Sequence, residues 1–230
     1  MPYFINFDFY ANSYSTIPLF RDYLYVKENC ICTVYDDTIQ CSNICPVANL
    51  KIIGSITPPT CTIDSQDEVT NTYDFDISPG IFPASGDLTL DAQSQPITVT
   101  CDATTYLTFD TTDQRDGTAS IAGDKNFGLN KYNDDNIGYY TITMENAKVQ
   151  ANENSAAKDV GVLIGASYAT SGVLNKTQKT AWATSSSLLA QGQIFSADFT
   201  VTPTIDSKMK NSTGDAQLDG HAVLAFGFGL

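Results

Sequence analysis

The stretch "ANLKIIGSITPPTC", residues 48–61, combines a strand-like pattern with an abrupt stop. Successive side chains of an extended chain point to opposite faces, so alternate residues share one side. The side that is apolar or small carries Ala48, Leu50, Ile52, Gly54 and Ile56. Pro58 and Pro59 then end the strand, because proline has no backbone N–H to donate to a ladder. A single strand cannot bury its own apolar face, so this arm needs a partner sheet. The simpler alternative is an ordinary edge strand of its own domain.

The end of the chain carries a second strand pattern, which complements that of the arm. In "HAVLAFGFGL", residues 221–230, both sides of the predicted strand are apolar or small. Such a strand is either covered on both faces or lies beside an unfilled groove. An immunoglobulin-like sandwich would need one further strand here, and a missing strand leaves an apolar groove and an unpaired edge. An arm that needs a groove and a groove that lacks a strand together predict strand addition between successive copies.

Between these two segments the sequence is typical of a β protein. Short runs of β-branched and aromatic residues recur between Gly, Asn, Asp, Ser and Pro clusters, and several runs alternate apolar with polar side chains. This pattern, with no long amphipathic helix, predicts an all-β antiparallel sandwich over residues 61–230. Strands are predicted at residues 73–77, 96–101, 106–109, 138–144, 160–166, 193–202 and 222–228, with long connections at 80–86, 111–136 and 171–187.

Composition excludes several functional classes. The chain of 230 residues carries 26 acidic and 12 basic residues, a net charge of −14. This balance argues against nucleic acid and against an anionic membrane surface as partners, because both require clustered Lys and Arg. The chain has no apolar run long enough to predict a transmembrane helix, so no direct membrane insertion is expected.

The residues resemble the subunits assembled by the chaperone–usher pathway of Gram-negative bacteria, in a poorly characterised branch of fimbrial-like periplasmic proteins. The resemblance covers about residues 47–230 and is carried by four stretches. These are "ANLKIIGSITPPTCTI", "PITVTCDA" with a cysteine about forty positions after the first, "GYYTITMENAKVQ" and "FSADFTVTPTI". The arm and the cysteine pair are its most specific parts.

The resemblance implies an incomplete immunoglobulin-like β-sandwich, the pilin fold, whose last strand is supplied in trans. It implies a structural role in a fimbrium and in cell adhesion, with no enzymatic activity and no cofactor. The implied partners are a periplasmic chaperone that lends a strand, an outer-membrane usher and neighbouring subunits. The implied location is the periplasm in transit and then the cell surface. A minor adhesive subunit or a free periplasmic binding protein of the same fold is the alternative.

Carried over residue by residue, the resemblance makes residues 47–60 a donor-strand arm. Leu50, Ile52 and Ile56 are then groove-filling side chains, and Gly54 is the small position that passes a narrow part of the groove. It implies a disulfide between Cys61 and Cys101, whereas the residues alone also allow two buried thiols. It makes Leu224, Phe226 and Phe228 the lining of the receiving groove. The chain departs from many pilins at Gly229, where they carry a tyrosine.

Residues 1–46 do not fit this scheme. They mix aromatic and polar residues without a helical or strand period, and no export signal is visible, although export is obligatory for such a subunit. We hypothesise a misassigned start codon or a disrupted reading frame, with disorder as the alternative. Four cysteines lie here, and their spacing leaves a zinc site, adventitious disulfides or an unstructured segment open. They are Cys30, Cys32, Cys41 and Cys45.

No pattern predicts catalysis or a metal centre. His221 is the one histidine, which excludes a multi-histidine metal site, and no G-x-S-x-G elbow supplies a nucleophile for it. The aspartates near residues 110–116 and 134–135 lack the ligand spacing of a calcium loop, so we interpret them as solvated loop acids. A hydrolase would require a pocket with converging polar groups around His221.

Overall fold

The computed structural model describes residues 50–212 and 216–229, together with the backbone of three strands nearer the N-terminus. The chain divides after Ile56 into two compact units, Met1–Ile56 and Thr57–Leu230. Ala48 lies outside the described residues, as does the side chain of every cysteine before Cys61, so the hypotheses on metal binding and pairing of those cysteines lie outside them too.

The first unit contains a small antiparallel sheet in the order β1-β2-β3, formed by β1 (Leu24–Lys27), β2 (Cys30–Tyr35) and β3 (Thr38–Cys41). Residues 50–56 follow it and belong to no strand. The arm predicted as a strand therefore has no ladder within the described part of the chain. Neither the strand predicted at residues 50–56 nor the alternative of an edge strand in its own domain is formed within the described residues.

The second unit is built from antiparallel strands and two 3₁₀ turns. Its first strands are β4 (Cys61–Ile63), β5 (Leu88–Thr89), β6 (Gln93–Asp113), β7 (Phe127–Gly128), β8 (Lys131–Tyr132), β9 (Asp135–Asn136) and β10 (Gly138–Gln150). The remaining strands are β11 (Lys158–Asp159), β12 (Gly161–Ile164), β13 (Ser167–Ala169), β14 (Gly172–Val173), β15 (Thr180–Ser185), β16 (Leu188–Leu189), β17 (Gln191–Ile205) and β18 (Ala222–Phe228). The turns are Pro79–Ile81 and Ser207–Asn211.

Three long strands organise this unit. β17 pairs with β10 on one side and with the first part of β6 on the other, and the second part of β6 pairs with β15 and β18. The main path runs β11-β10-β17-β6-β15-β12-β13. Register shifts interrupt the pairing between Glu145 and Lys148 and between Gly192 and Ile194. Such bulges bend a strand and increase its twist, which lets one antiparallel sheet curl around a core.

The core is aromatic and lies inside this curl. Phe109, Trp182 and Phe195 are fully buried. The Phe109 ring lies 5.8 Å from the Trp182 ring, and the Trp182 ring lies 5.7 Å from that of Phe195. Trp182 Nε1 donates a hydrogen bond to the Ser196 carbonyl at 2.9 Å, so its one polar atom is satisfied. Edge-to-face ring packing of this kind contributes about 0.5–1.5 kcal/mol per pair beyond area burial.

A disulfide joins the start of this unit to β6. Cys61 and Cys101 lie directly opposite each other in the β4–β6 pair and are bonded, with their Cα atoms 4.0 Å apart. The pairing implied by the resemblance is therefore present. Hydrogen bonds on both sides support it, because Thr60 N donates to Asp102 Oδ1 and Asp64 N donates to the Thr98 carbonyl. The short strand β4 is thus held by covalent and hydrogen-bonded contacts together.

The all-β prediction is confirmed, but two of the predicted connections contain strands. Residues 111–136 contain the end of β6 and the short strands β7, β8 and β9. Residues 171–187 contain β14 and β15, and β15 carries the buried Trp182. The first part of β15 is buried on both faces, so its side chains do not alternate between apolar and polar. In the part of the chain that the structure describes, no helix has the length and apolar character to cross a membrane.

Candidate functional site

The last strand, β18, is paired on one side only. Its register with β6 runs from Ala222 opposite Asp113 to Phe228 opposite Leu107. Among the described residues, no other strand pairs with β18. The far side of this strand, which we call the open edge, is the candidate functional site.

Hydrogen bonds at the two ends of β18 show which backbone groups point to the open edge. Gln114 N donates to the His221 carbonyl at 2.8 Å, and Gly229 N donates to the Tyr106 carbonyl at 2.7 Å. Bonded residues alternate along an antiparallel pair, so the odd-numbered residues of β18 face β6. The even-numbered residues direct their N–H and C=O groups outward and have no backbone partner among the described residues. They are Ala222, Leu224, Phe226 and Phe228.

The same even-numbered residues carry the apolar face of the strand. Ala222, Leu224 and Phe226 are half-buried and pack against the core. The Phe226 ring lies 5.3 Å from the Phe109 ring and 6.4 Å from the Trp182 ring. Phe228 is 41% exposed and extends this surface beyond the packed region. An unpaired backbone and a partly covered apolar face therefore coincide at the open edge.

The entry to β18 is held by an ion pair. Arg115 Nη2 lies 2.7 Å from Asp219 Oδ2, and its Nε donates to Asp219 Oδ2 at 3.0 Å, which makes a forked contact. Asn130 Nδ2 donates to the same Asp219 oxygen at 3.1 Å. Such forked contacts restrict geometry more than a single charge–charge contact does. The contacts of Arg115 and Asn130 with Asp219 restrain the segment before β18. This restraint matters because β18 is aligned by one neighbouring strand, β6, within the described residues.

Asp113 lies inside the fold and holds the backbone of Arg115, the residue that pairs with Asp219. The Asp113 side chain is fully buried and lies in β6, so the interpretation of the acids near residues 110–116 as solvated loop acids is wrong for Asp113. Its carboxylate accepts hydrogen bonds from Arg115 N and Gly128 N, both at 2.9 Å. Lys176 Nζ lies 3.7 Å from the Asp113 carboxylate and 2.7 Å from that of Asp116. The hydrogen bond and charge of Lys176 lower the pKa of Asp116. The buried carboxylate is therefore satisfied by backbone donors and a cation, as a structural ion pair requires.

The strand predicted at residues 73–77 is not formed, because residues 69–77 are an extended segment that belongs to no strand. Val69, Tyr73, Phe75 and Ile77 are half-buried and alternate with exposed residues, which is the period of a strand. Among the described residues, however, residues 67–77 make no backbone–backbone hydrogen bond. The segment is therefore strand-like in its side chains and unpaired in its backbone.

Side chains hold this segment in place of a ladder. Gln93 Nε2 donates to the Asp74 carbonyl and Gln95 Nε2 donates to the Thr72 carbonyl, both at 2.6 Å. Tyr73 reaches further and donates its hydroxyl to the Phe199 carbonyl at 2.7 Å. Burial raises the pKa of Tyr73, so the hydroxyl stays protonated and remains a donor. We call this pair of glutamines the glutamine clamp, and no sequence motif predicts it.

Removing the glutamine clamp has a measurable consequence. Gln93→Ala and Gln95→Ala are each expected to lower the free energy of unfolding by about 1 kcal/mol, because each removes one hydrogen bond. Denaturant unfolding followed by tryptophan fluorescence measures the change. Gln191→Ala is the matched control, since Gln191 is exposed and its side-chain amide makes no hydrogen bond in the described part of the chain. Equal stability of all three variants would contradict a structural role for the clamp.

The apolar side chains of the arm are exposed to solvent in this chain. Leu50, Ile52 and Ile56 are 94%, 96% and 103% exposed, and nothing lies within 4 Å of a Cβ built on Gly54. The structure thus assembles Leu224 and Phe226 on one packed face, while the predicted groove-filling side chains remain uncovered. The apolar side chains of the arm are therefore exposed on the surface of this chain.

Two other residues singled out in the sequence, His221 and Gly229, flank β18. His221 is exposed and contributes its backbone carbonyl to the pairing of β18 with β6. Gly229 lies against β16, where an added Cβ would sit 2.6 Å from Leu189 Cδ1. Within the described residues, no group of three or more His, Cys, Asp or Glu side chains is placed to hold a metal ion.

Comparison with known proteins adds no identification. A scan of protein-family models finds no match to this chain, and a search of curated proteins finds none either.

Proposed function

We propose that this chain is a structural subunit of a chaperone–usher fimbria, polymerised by donor-strand complementation and contributing to cell adhesion. In this proposal the unit from Thr57 onward is an incomplete immunoglobulin-like sandwich of the pilin type. The arm of a second copy completes it, after a periplasmic chaperone has lent a strand and an outer-membrane usher has received the subunit. The subunit then passes through the periplasm to the cell surface and has no enzymatic activity.

The observation that supports the proposal most strongly is the open edge of β18. Unpaired backbone donors and acceptors at Leu224 and Phe226 offer a template for another strand, and such edges are normally blunted by charge, proline or a cover. Here the exposed residues of the strand are apolar, with Val223 38% and Phe228 41% exposed. Strand addition supplies backbone hydrogen bonds for affinity and side-chain pockets for specificity.

The proposed occupant is residues 48–58 of a second copy. Leu50, Ile52 and Ile56 repeat with the period of a strand and are exposed, so they match an apolar face that lacks a cover. The arm carries a single ionisable side chain, Lys51, and its charge is opposite to that of the strongly acidic chain. Such charge complementarity favours encounter between copies.

The direct test uses residues 57–230, the compact unit that contains β18 but lacks the arm. A peptide of residues 48–58 is expected to raise its melting temperature by about 5–10 °C when the peptide is at one hundred times its Kd. Ligand binding at that ratio stabilises by about 2.7 kcal/mol, and each kcal/mol moves the melting temperature of a domain this size by about 2–4 °C. Thermal unfolding followed by circular dichroism measures the shift. The control peptide carries Ile52→Asp and Ile56→Asp, and an equal shift with both peptides, or none with either, would overturn the proposal.

Two proline variants locate the binding edge. Ala222→Pro removes an N–H that faces the open edge, so the free unit should keep its stability while the peptide shift falls. Ala225→Pro removes an N–H that faces β6, so the free unit itself should lose about 1–3 kcal/mol. A normal peptide shift in Ala222→Pro would place the docking strand elsewhere.

A further inference from the structure

A polar trough lies on strands away from the open edge. It has a volume of about 660 Å³ and crosses β6, β17, β10 and β11. This size falls within the range of about 300–1,000 Å³ that is typical of small-molecule sites. Its polar lining includes Thr98, Asn146, Lys148, Asp159, Ser196 and Asp198. The trough shares no lining residue with β18 or with the arm.

A β-bulge shapes the trough. The register of β10 against β17 shifts between Glu145 and Lys148, and Asn146 within the bulge has a positive φ of 52°. Bulges re-aim side chains, and they occur often beside functional sites. Here the bulge directs Asn146 Nδ2 to Asp198 Oδ2, with a hydrogen bond of 2.8 Å. A backbone conformation that few residues adopt is therefore used to orient an amide beside a carboxylate.

Several polar atoms in the trough have spare hydrogen-bonding capacity. Among the described residues, the side-chain hydrogen bond of Asp198 is the one from Asn146, which leaves its second oxygen available. Among the side-chain hydrogen bonds of the described residues, none involves the hydroxyl of Thr98 or of Ser196, and both residues line the trough. Lys148 Nζ lies 3.6 Å from Asp159 Oδ1, beyond hydrogen-bond distance, so the ammonium keeps its donors. Donors and acceptors of both kinds therefore converge on one concave surface.

We propose that this trough binds a neutral polyhydroxylated ligand, a saccharide unit. A sugar hydroxyl both donates and accepts, so it satisfies a carboxylate oxygen, an amide and a hydroxyl placed side by side. The lining carries carboxylates and an ammonium together, which disfavours an anion beside Asp198 and Asp159 and a cation beside Lys148. This inference is independent of strand donation, because the trough and the open edge lie on different residues.

The test uses the full chain and four named probes: maltose, lactose and chitobiose as neutral saccharides, and sialyllactose as an anionic comparator. Saturation-transfer NMR detects contact, and titration gives the Kd. At least one neutral saccharide is expected to bind. Asp198→Ala is expected to raise the Kd of that saccharide about tenfold or more, because it removes a hydrogen bond to a charged group. Asp91→Ala is the matched control, because Asp91 is exposed and lies outside the trough.

The isosteric variant Asp198→Asn keeps the proposal testable if Asp198→Ala perturbs the fold. It retains an oxygen that accepts from Asn146 but removes the charge, so it should weaken saccharide binding while leaving the melting temperature unchanged. Saturation transfer to none of the neutral probes, transfer to sialyllactose alone, or equal binding by Asp198→Asn, Asp91→Ala and the parent chain would each overturn the saccharide site.

Discussion

Replacing Cys61 and Cys101 together with alanine is expected to lower the free energy of unfolding by about 4 kcal/mol. The disulfide closes a loop with a sequence separation of 40, and the chain-entropy estimate for a loop of that length is about 4 kcal/mol. The loss is large because β4 spans only Cys61–Ile63 and pairs with β6 alone. Without the covalent bond, three residues of ladder must hold the start of the unit.

The disulfide prediction is measured by urea unfolding of the parent, the double-alanine variant and the parent under reducing conditions. The variant and the reduced parent should unfold at similar urea concentrations, both well below the oxidised parent. Thr62→Ala is the local control, because it alters β4 without touching the bond, and it should change stability by no more than about 0.5 kcal/mol. A double-alanine variant as stable as Thr62→Ala would show that loop closure does not stabilise this unit.

The same bond also bears on segment 69–77, which follows β4 after five residues and has no ladder of its own. Its position therefore depends on β4 and on the glutamine clamp. If strand docking requires this segment, the double-alanine variant should show a smaller shift with the peptide of residues 48–58 than the parent does. Urea unfolding thus measures the effect of the disulfide on stability, and the thermal shift with the peptide measures its effect on docking.

The alternation of apolar and polar side chains along the sequence predicted three of the strands well. The prediction at residues 193–202 lies within β17, the one at 138–144 lies within β10, and the one at 222–228 coincides with β18. Each of these strands has one face on the core, so the sequence carries a period of two. The predictions at 96–101 and 106–109 are halves of the single strand β6. Asp102, Ala103 and Thr104 are exposed between them, which hides the continuity from a pattern based on burial.

What the sequence could not reveal depends on contacts distant along the chain. β15 is buried on both faces in its first part, so no alternation marks it, and the position of Trp182 in the core was not anticipated. The glutamine clamp depends on contacts between residues about twenty positions apart in the sequence. For the open edge, the sequence predicted the apolar face of β18. The direction of its backbone groups, however, follows only from its pairing with β6.

Phe226→Ala is expected to lower the free energy of unfolding by about 3 kcal/mol. Phe→Ala changes in cores cost about 3–5 kcal/mol, and the lower end applies because Phe226 is only half-buried. Its ring contacts Phe109 and Trp182, so its loss opens a gap in the aromatic core directly behind the open edge. Val223→Ala is the matched control, because Val223 lies on the opposite face of the same strand and is 38% exposed.

The pair of variants separates packing from docking. Val223→Ala should change stability by about 0.5 kcal/mol or less and should keep the full thermal shift with the peptide of residues 48–58. Phe226→Ala should lose both stability and most of the shift, because the side chain that an incoming isoleucine would contact is gone. If Phe226→Ala were destabilised and yet kept the shift, the aromatic face would be structural only. Strand docking at β18 would then rest on the backbone edge alone, where Ala222→Pro tests it.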